Sequence, residues 1–248
     1  MTEVSSLTGR LLVATPVLAD PNFDRAVVLL LDHDEEGSLG VVLNRPTPVD
    51  VSDILEPWAA LAGEPGVVFQ GGPVSLDAAL GVAVVPTGGV GRTRAAAPRA
   101  DVDMADRTGG AEAGDGGEGG EGAGDGSEAT DAGSEQGVDG ADGPDGTDGA
   151  DGPLGWRRVH GAIGLVDLEA PPELLAAELG SLRIFAGYAG WGPGQLEDEL
   201  SEGAWYVVES EPGDVSSPAP EGLWRSVLRR QRSELALVAT YPDDPSLN

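Results

Sequence analysis

The chain has 248 residues and a formal net charge of −29, with 43 acidic residues against 14 basic ones. It has no cysteine, and all 14 basic residues are arginine. The absence of cysteine excludes a disulfide framework, a thiolate nucleophile and cysteine-ligated zinc, and it fits a reducing compartment. The absence of lysine excludes a Schiff-base enzyme and a Walker-type phosphate loop.

The part of the chain before residue 91 contains segments that are rich in Val and Leu and bounded by turn residues. This pattern predicts strands at residues 9–15, 26–33, 39–44, 66–70 and 80–85. We expect the second and third to form a hairpin, because the polar residues between them include Gly37, which can take a positive φ. An apolar stripe at helical spacing predicts a short helix over residues 50–61.

Residues 91–153 differ in composition from the rest of the chain. They are dominated by Gly, Asp, Glu and Ala, and residues 101–152 hold 16 acidic residues against one arginine. Such a segment cannot bury enough apolar surface to offset its backbone entropy, and its like charges repel each other. We therefore predict a disordered acidic insertion at 91–153, within one discontinuous domain formed by residues 1–90 and 154–248.

Strands and helices follow the insertion. Strands are predicted at residues 157–166, 181–188 and 205–209, and helices at residues 171–179, 194–202 and 221–232. The elements do not alternate with the even spacing of a doubly wound fold. We therefore expect an α+β domain with a curved, largely antiparallel sheet and helices packed against it.

Four motifs lie outside the insertion. Residues 21–28 read P-x-F-x-R-x-V-V, and residues 33–46 read H-x-x-x-G-x-x-G-x-x-x-N-x-P. Residues 71–74 read G-G-P-V, and residues 187–199 read G-x-x-x-W-x-x-G-Q-L-E-x-E. Together these motifs resemble the AlgH/YqgE family of bacterial proteins. The resemblance implies a bifurcated, barrel-like sheet flanked by helices, and it implies a fold rather than an activity.

His33, which matches the histidine of the family pattern, lies in the acidic turn of the predicted hairpin. One interpretation is a solvated hairpin tip. The other is that His33 orients a polar site with Asn44 on the next strand, since a neutral imidazole and an amide can together donate and accept hydrogen bonds. Such a site would suit a small polar ligand or a peptide backbone. A calcium loop does not fit, because its last position is Leu43 instead of a carboxylate.

A glycine-rich loop containing Trp191 lies between a predicted strand and a predicted helix. This layout can bind an anion through free backbone N–H groups. The acidic residues 197–199 in the first helical turn would repel one, however. Trp191, Gln195 and Glu199 are therefore candidates either for ligand contacts or for structural supports.

Gly71 and Gly72 are further candidate contacts, although a tight turn explains them more simply than an oxyanion hole. The sequence contains no G-x-S-x-G nucleophile elbow and no H-E-x-x-H zinc motif. With His33 and His160 as its two histidines, the chain is not expected to hold a metal or another cofactor.

Two functional hypotheses follow. The preferred one is a non-catalytic binding or regulatory module that presents a pocket near these candidate residues to an unknown protein or small-molecule partner. The alternative is a hydrolase or transferase of unrecognised type that uses Glu197 or Glu199 together with His33. The two hypotheses differ in the effect of changing a carboxylate to its amide. The change would abolish turnover if the carboxylate is catalytic, and it would lower stability if the carboxylate supports the fold.

Charge and hydropathy bear on partners and location. Direct nucleic-acid binding is not expected, because it relies on a basic face, so any regulation of transcription implied by the AlgH name would be indirect. No segment approaches the roughly 18 apolar residues that span a bilayer. Residues 11–19 do not resemble a secretory signal. We therefore expect a cytoplasmic protein with no membrane association.

Overall fold

The structure, a computed structural model, describes residues 6–18, 20–86 and 153–242. The predicted insertion at 91–153 lies outside the described residues except for Pro153, so its disorder and the domain boundaries stay predictions. The described strands are β1 Arg10–Ala14, β2 Val27–Asp34, β3 Gly37–Val42, β4 Pro46–Asp50, β5 Val67–Gln70, β6 Val74–Val84, β7 Trp156–His160, β8 Ile163–Val166, β9 Ser181–Trp191 and β10 Trp205–Glu209.

Short helices connect and cover these strands. The α-helices are α1 Val51–Ile54, α2 Gln195–Ser201, α3 Pro212–Val215, α4 Leu223–Arg230 and α5 Leu235–Val238. Single 3₁₀ turns or short 3₁₀ helices occupy Glu56–Leu61, Pro172–Leu174 and Pro220–Gly222. None of the described helices is long and apolar enough to cross a membrane.

The strands form one sheet in the order β10-β1-β2-β3-β9-β6-β8-β7, with β4 and β5 attached beside this path. Among the described strands, β5 pairs with β9 in parallel and the other strand pairs are antiparallel. The first half of β9 pairs with both β5 and β6, while its last residues pair with β3. The sheet therefore divides along β9, and the predicted α+β fold with a curved, largely antiparallel sheet is confirmed.

Both faces of the central strands are buried, which explains their continuous apolar runs. In β1, Leu11 and Val13 belong to the cluster that contains α4, whereas Leu12 and Ala14 belong to the cluster that contains α2. A third cluster contains Trp58 together with side chains of α1 and β8. Because neighbouring residues of a strand point to opposite faces, one strand contributes to two cores.

The predicted hairpin is confirmed. β2 and β3 pair from Val28 and Val42 to Asp34 and Gly37, with a register shift between Leu30 and Asp32. Gly37 has a φ of +143°, and a Cβ there would lie 2.4 Å from the carbonyl oxygen of Trp191. Glycine is therefore required at this position both for its conformation and for the close approach of β9.

Several element predictions were wrong in detail. The helix predicted over 50–61 is divided into α1 and a 3₁₀ helix, and Pro57 lies at the start of the second piece, where it cannot donate an intrahelical bond. The helix predicted over 171–179 is reduced to one 3₁₀ turn and following turns. The single strand predicted over 157–166 is two strands, because Gly161 turns the chain with a φ of +54°.

Candidate functional site

Glu199 on α2 is the acceptor for three side-chain N–H donors. Its Oε2 accepts from the indole nitrogen of Trp191 at 3.0 Å and from that of Trp205 at 2.8 Å. Its Oε1 accepts from the Gln195 amide at 3.0 Å, and Gln195 Oε1 in turn accepts from the Gly192 N–H at 3.1 Å. This network ties α2 to the ends of β9 and β10.

Trp191 itself is packed against other aromatic rings. Its ring centre lies 6.1 Å from that of Phe23 and 6.1 Å from that of Trp205, and only 5% of the residue is exposed. The ring belongs to the same apolar cluster as Leu196 on α2. Of the two interpretations of Trp191, Gln195 and Glu199, these contacts favour the structural one.

His33 is enclosed at the far end of the β2–β3 hairpin. Its side chain is 2% exposed, its Nδ1 lies 2.8 Å from Ser38 Oγ, and its Nε2 lies 3.6 Å from Glu197 Oε1. Nε2 has no hydrogen-bond partner. Register places His33 opposite Ser38 and Ser38 opposite Trp191, so the three residues form a row across three strands. The sequence alone does not predict a role for Ser38.

A cleft of about 250 Å³ opens beside this row, and we call it the hairpin cleft. Its lining is acidic and includes one aromatic residue. It consists of Asp32, Asp34, Glu36, Gly37, Ser38, Leu39 and Trp191. Since Asp34 and Glu36 are exposed, their charges face solvent at the rim. The cleft can therefore attract a positively charged group.

Asn44 lies at the other end of the hairpin from His33. Asn44 lies six positions after Ser38 along β3 and its extension, which corresponds to about 20 Å at about 3.3 Å per residue. Asn44 is 4% exposed. Its Oδ1 accepts from the Val27 N–H at 2.9 Å, and its Nδ2 donates to the Arg25 carbonyl at 2.9 Å. The structure therefore does not bring His33 and Asn44 into one pocket.

A second cleft, of about 270 Å³, lies beside Asn44, and we call it the arginine cleft. It is formed where the start of β2, the end of β3 and helix α4 meet. Its lining includes Asp24, Arg25, Asn44, Arg45, Glu221, Trp224 and Arg225. Arg25 and Arg45 each fall within one of the sequence motifs. No local pattern links them to Arg225, which lies 180 residues after Arg45 in the chain.

Gly71 and Gly72 lie against β9. The Gly71 N–H donates to the Ala186 carbonyl at 2.9 Å, and the Gly71 carbonyl accepts from the Val42 N–H at 2.8 Å. A Cβ on Gly71 would lie 2.2 Å from the Gly187 carbonyl oxygen, and one on Gly72 would lie 2.2 Å from the Tyr188 carbonyl. Both glycines therefore permit a close approach of backbones. They line neither cleft.

A metal site is not formed by the described ranges 6–18, 20–86 and 153–242, which contain no group of three His, Asp or Glu side chains that could hold an ion. Among the charged groups of the two clefts, Arg45 has a shifted pKa. Burial lowers the pKa of the Arg45 guanidinium, and the nearby Asp24 carboxylate opposes this shift. The arginine cleft is therefore partly desolvated at Arg45.

A family model described as AlgH-like matches residues 11–112 and 151–236. The chain belongs to the AlgH-like family. The match omits residues 113–150, and the resemblance predicted from the four motifs is confirmed.

Relatives and solved structures agree with this membership. A UPF0301 protein of Streptomyces avermitilis is 71% identical over 248 residues, covering 100% of this chain and 98% of the relative. A UPF0301 protein of Thermobifida fusca is 40% identical, covering 98% and 96%. A crystal structure of a protein from Corynebacterium diphtheriae matches with a TM-score of 0.66 and 25% identity, covering 94% and 92%.

A second solved structure is the solution structure of the AlgH protein from Pseudomonas aeruginosa. It matches with a TM-score of 0.50 and 20% identity over 98% of both chains. At this identity the likeness concerns the fold alone. The family therefore supplies the architecture, and the two clefts with the residues around them are the candidate functional surfaces.

Proposed function

We propose that this protein is a non-catalytic binding or regulatory module that contacts a protein partner at the hairpin cleft. One observation carries the non-catalytic part of the proposal, namely that Glu199 accepts hydrogen bonds from two indoles and one amide. A carboxylate that acts as a general acid, a general base or a nucleophile has to exchange a proton or a bond with a substrate. Glu199 is instead used to hold α2 on the sheet.

The surroundings of His33 support the same conclusion. The imidazole has one nitrogen on Ser38 and the other facing Glu197, and it is almost completely enclosed. Neither ring nitrogen lines the hairpin cleft. A substrate in that cleft would meet Ser38 and carboxylates rather than the imidazole, so a hydrolase or transferase in which His33 acts directly on the substrate together with Glu197 or Glu199 is not favoured.

The charges of the cleft indicate the kind of partner. Asp32, Asp34 and Glu36 line it, and the whole chain carries a net charge of −29. These carboxylates favour a positively charged segment of a protein and repel nucleic acid. A regulatory effect on transcription would therefore pass through a protein partner.

An affinity-capture experiment with the full chain tests this proposal. The wild type is compared with the double variant Asp34→Asn/Glu36→Gln, whose cleft loses two charges. The matched control is Asp53→Asn/Glu56→Gln, which removes two exposed charges at α1 and the following 3₁₀ helix. Bound proteins from the source bacterium are quantified by mass spectrometry.

We expect a partner that is recovered with the wild type and the control and is lost with the cleft variant. Equal recovery with all three proteins would contradict a role for the hairpin cleft. Turnover of an ester, phosphoester or glycoside substrate that is lost in His33→Gln would contradict the non-catalytic assignment and favour an enzyme.

A further inference from the structure

Among the strands that the structure describes, three pair with one other strand only. Strand β10 pairs with β1, β7 pairs with β8, and β4 pairs with β5. The outer edge of such a strand presents backbone N–H and C=O groups that can pair with another chain, and proteins usually protect an edge against this. The three strands differ in whether their sequences supply that protection.

Strands β4 and β7 carry residues that oppose edge pairing. β4 contains Pro46 and Pro48, which have no N–H to donate to an added strand. β7 has Arg157 and Arg158 at exposed positions, and charged side chains on an edge strand discourage pairing. β10 contains no proline, and its one charged residue is Glu209 at its end. The edge of β10 is therefore the least protected of the three.

The hydrogen bonds between β1 and β10 show which backbone groups of β10 face outward. The Thr15 N–H donates to the Ala204 carbonyl at 3.0 Å, and these residues continue the register of the two strands. Hydrogen-bonded and non-hydrogen-bonded pairs alternate along an antiparallel ladder. The N–H and C=O groups of Trp205, Val207 and Glu209 therefore point away from β1.

The outward groups at the middle of β10 are available. Arg230 agrees with the orientation, because its guanidinium donates to the outward Glu209 carbonyl at 2.7 Å. Val207 lies at the centre of the strand and is 37% exposed. Within residues 6–18, 20–86 and 153–242, no group pairs with its N–H or C=O on the outer side. This edge thus combines a free donor, a free acceptor and an exposed aliphatic side chain.

Charge at the two ends of β10 differs. Glu202 is exposed where the chain leaves α2 and enters β10. At the other end, Arg10 pairs with Glu209 and Arg230 pairs with Glu211, which compensates the charges of these carboxylates. The start of the edge is therefore negative, as is the chain as a whole with its net charge of −29. Such a surface attracts a basic segment.

A second copy of the chain fits this edge less well than a basic segment does. Two-fold antiparallel pairing centred on Val207 would place Glu211 of one copy opposite Gly203 of the other and beside Glu202. Like charges so close together are destabilising. The two acidic chains would also repel each other as a whole.

We propose that β10 accepts an added strand from a partner protein, and that this strand has aliphatic side chains at alternate positions and basic residues at one end. Main-chain hydrogen bonds to the outward groups of β10 supply affinity, and the exposed Val207 side chain packs against an aliphatic neighbour. A basic residue near Glu202 supplies charge complementarity. β10 contributes no residue to the hairpin cleft, so this inference goes beyond the contact proposed above and does not depend on it.

NMR titration of the ¹⁵N-labelled full chain with synthetic peptides tests the proposal. The first probe is a short blocked peptide of alternating valine and threonine with arginines at one end. The second carries glutamates in place of the arginines. The third keeps the arginines, but its valines and threonines are N-methylated and cannot donate hydrogen bonds. The peptides therefore separate the effect of charge from that of backbone pairing.

Variants of Val207 test where the peptide binds. Val207→Pro removes the outward N–H, while Tyr206 and Val208 keep the groups that face β1. Val207→Lys keeps the N–H and replaces the aliphatic side chain with a charge that opposes edge pairing. Leu237→Lys is the matched control, because Leu237 is an exposed apolar residue on α5. The melting temperature of each variant shows whether it is folded.

We expect saturable shifts of the Val207 amide signal with the arginine peptide, together with slower hydrogen exchange of this amide. Affinity should be about tenfold or more weaker for the glutamate peptide and the N-methylated peptide. Val207→Pro and Val207→Lys should weaken binding of the arginine peptide by a similar factor. Leu237→Lys should leave it within about twofold.

Several results would overturn the proposal. One is the absence of a saturable Val207 shift with the arginine peptide, and another is an affinity that both folded Val207 variants leave unchanged. Equal binding of the arginine and glutamate peptides would contradict the basic character of the partner. A Val207 amide that is already protected in the free chain would show an occupied edge, and a dimer that Val207→Lys dissociates in analytical ultracentrifugation would place a second copy there.

Discussion

The indole nitrogen of Trp205 lies 2.8 Å from Glu199 Oε2, the oxygen that also accepts from Trp191. One carboxylate oxygen on α2 thus joins the last residue of β9 to the first residue of β10. These hydrogen bonds are partly buried and involve a charged acceptor, so each is stronger than a neutral one. Glu199 consequently holds the helix and the two strands together.

Glu199→Gln should destabilise the protein by about 1–3 kcal/mol. Glutamine retains one oxygen for the indoles, but its NH₂ group would face the donating amide of Gln195. Urea denaturation, monitored by tryptophan fluorescence, measures the decrease in the free energy of unfolding. Glu202→Gln, at an exposed position next to α2, is the control and should leave the midpoint nearly unchanged. Equal midpoints for both variants would show that Glu199 is not a support.

Gly72→Ala should destabilise the protein by about 3 kcal/mol or more, because the new methyl group overlaps the Tyr188 carbonyl and forces the backbones apart. Gly71→Ala should behave similarly against Gly187. Gly66→Ala is the matched control, since a Cβ there meets no atom within 4 Å. Thermal unfolding of the three variants checks this ranking, and a Gly72→Ala protein as stable as Gly66→Ala would refute it.

Asn44→Ala should cost about 2 kcal/mol or more, because it leaves the buried Val27 N–H without its acceptor and the Arg25 carbonyl without its donor. Amide hydrogen exchange at Val27 should accelerate as the global stability falls. Asn22→Ala, at an exposed position, serves as the comparison. If the Val27 amide exchanged at the same rate in Asn44→Ala as in the wild type, the Asn44 side chain would not be protecting it.

Arg183→Met should destabilise the protein by about 3 kcal/mol. The buried guanidinium donates to the carbonyls of Glu64 and Ser217 and lies 4.3 Å from the centre of the Phe69 ring. Burial lowers the pKa of Arg183 to about 10, so the group is still charged at neutral pH. Arg183→Lys keeps a charge but lacks the planar guanidinium with its paired N–H donors, so it should recover little of the lost stability. Chemical denaturation at pH 7 gives both values, and wild-type stability of Arg183→Met would contradict this assignment.

Much of the fold follows from the sequence because its signals are local. Aliphatic runs bounded by turn residues predict β1, β2 and β3. The polar turn that contains Gly37 predicts the hairpin of β2 and β3. Strand β4 was missed because Pro46 and Pro48 interrupt it. The early start of β6 was missed because residues 74–79 mix apolar with polar residues, and within this stretch the described pairing with β9 is limited to Val74 and Ala79.

The candidate sites depend on contacts that no local pattern shows. Antiparallel pairing places His33 and Asn44 at opposite ends of one hairpin, although both belong to a single sequence motif. Glu199 meets Trp205 only because β10 lies beside the end of α2. The arginine cleft joins the segments around Arg25, Arg45 and Arg225, so its existence follows from packing rather than from spacing in the sequence.

The role of the hairpin cleft in partner binding is tested by the dissociation constant between the full chain and the partner recovered by capture. We expect Asp34→Asn/Glu36→Gln to weaken binding about tenfold or more, Asp53→Asn/Glu56→Gln to leave it within about twofold, and added salt to weaken the wild-type complex. A dissociation constant that is the same for all three proteins and insensitive to salt would contradict it.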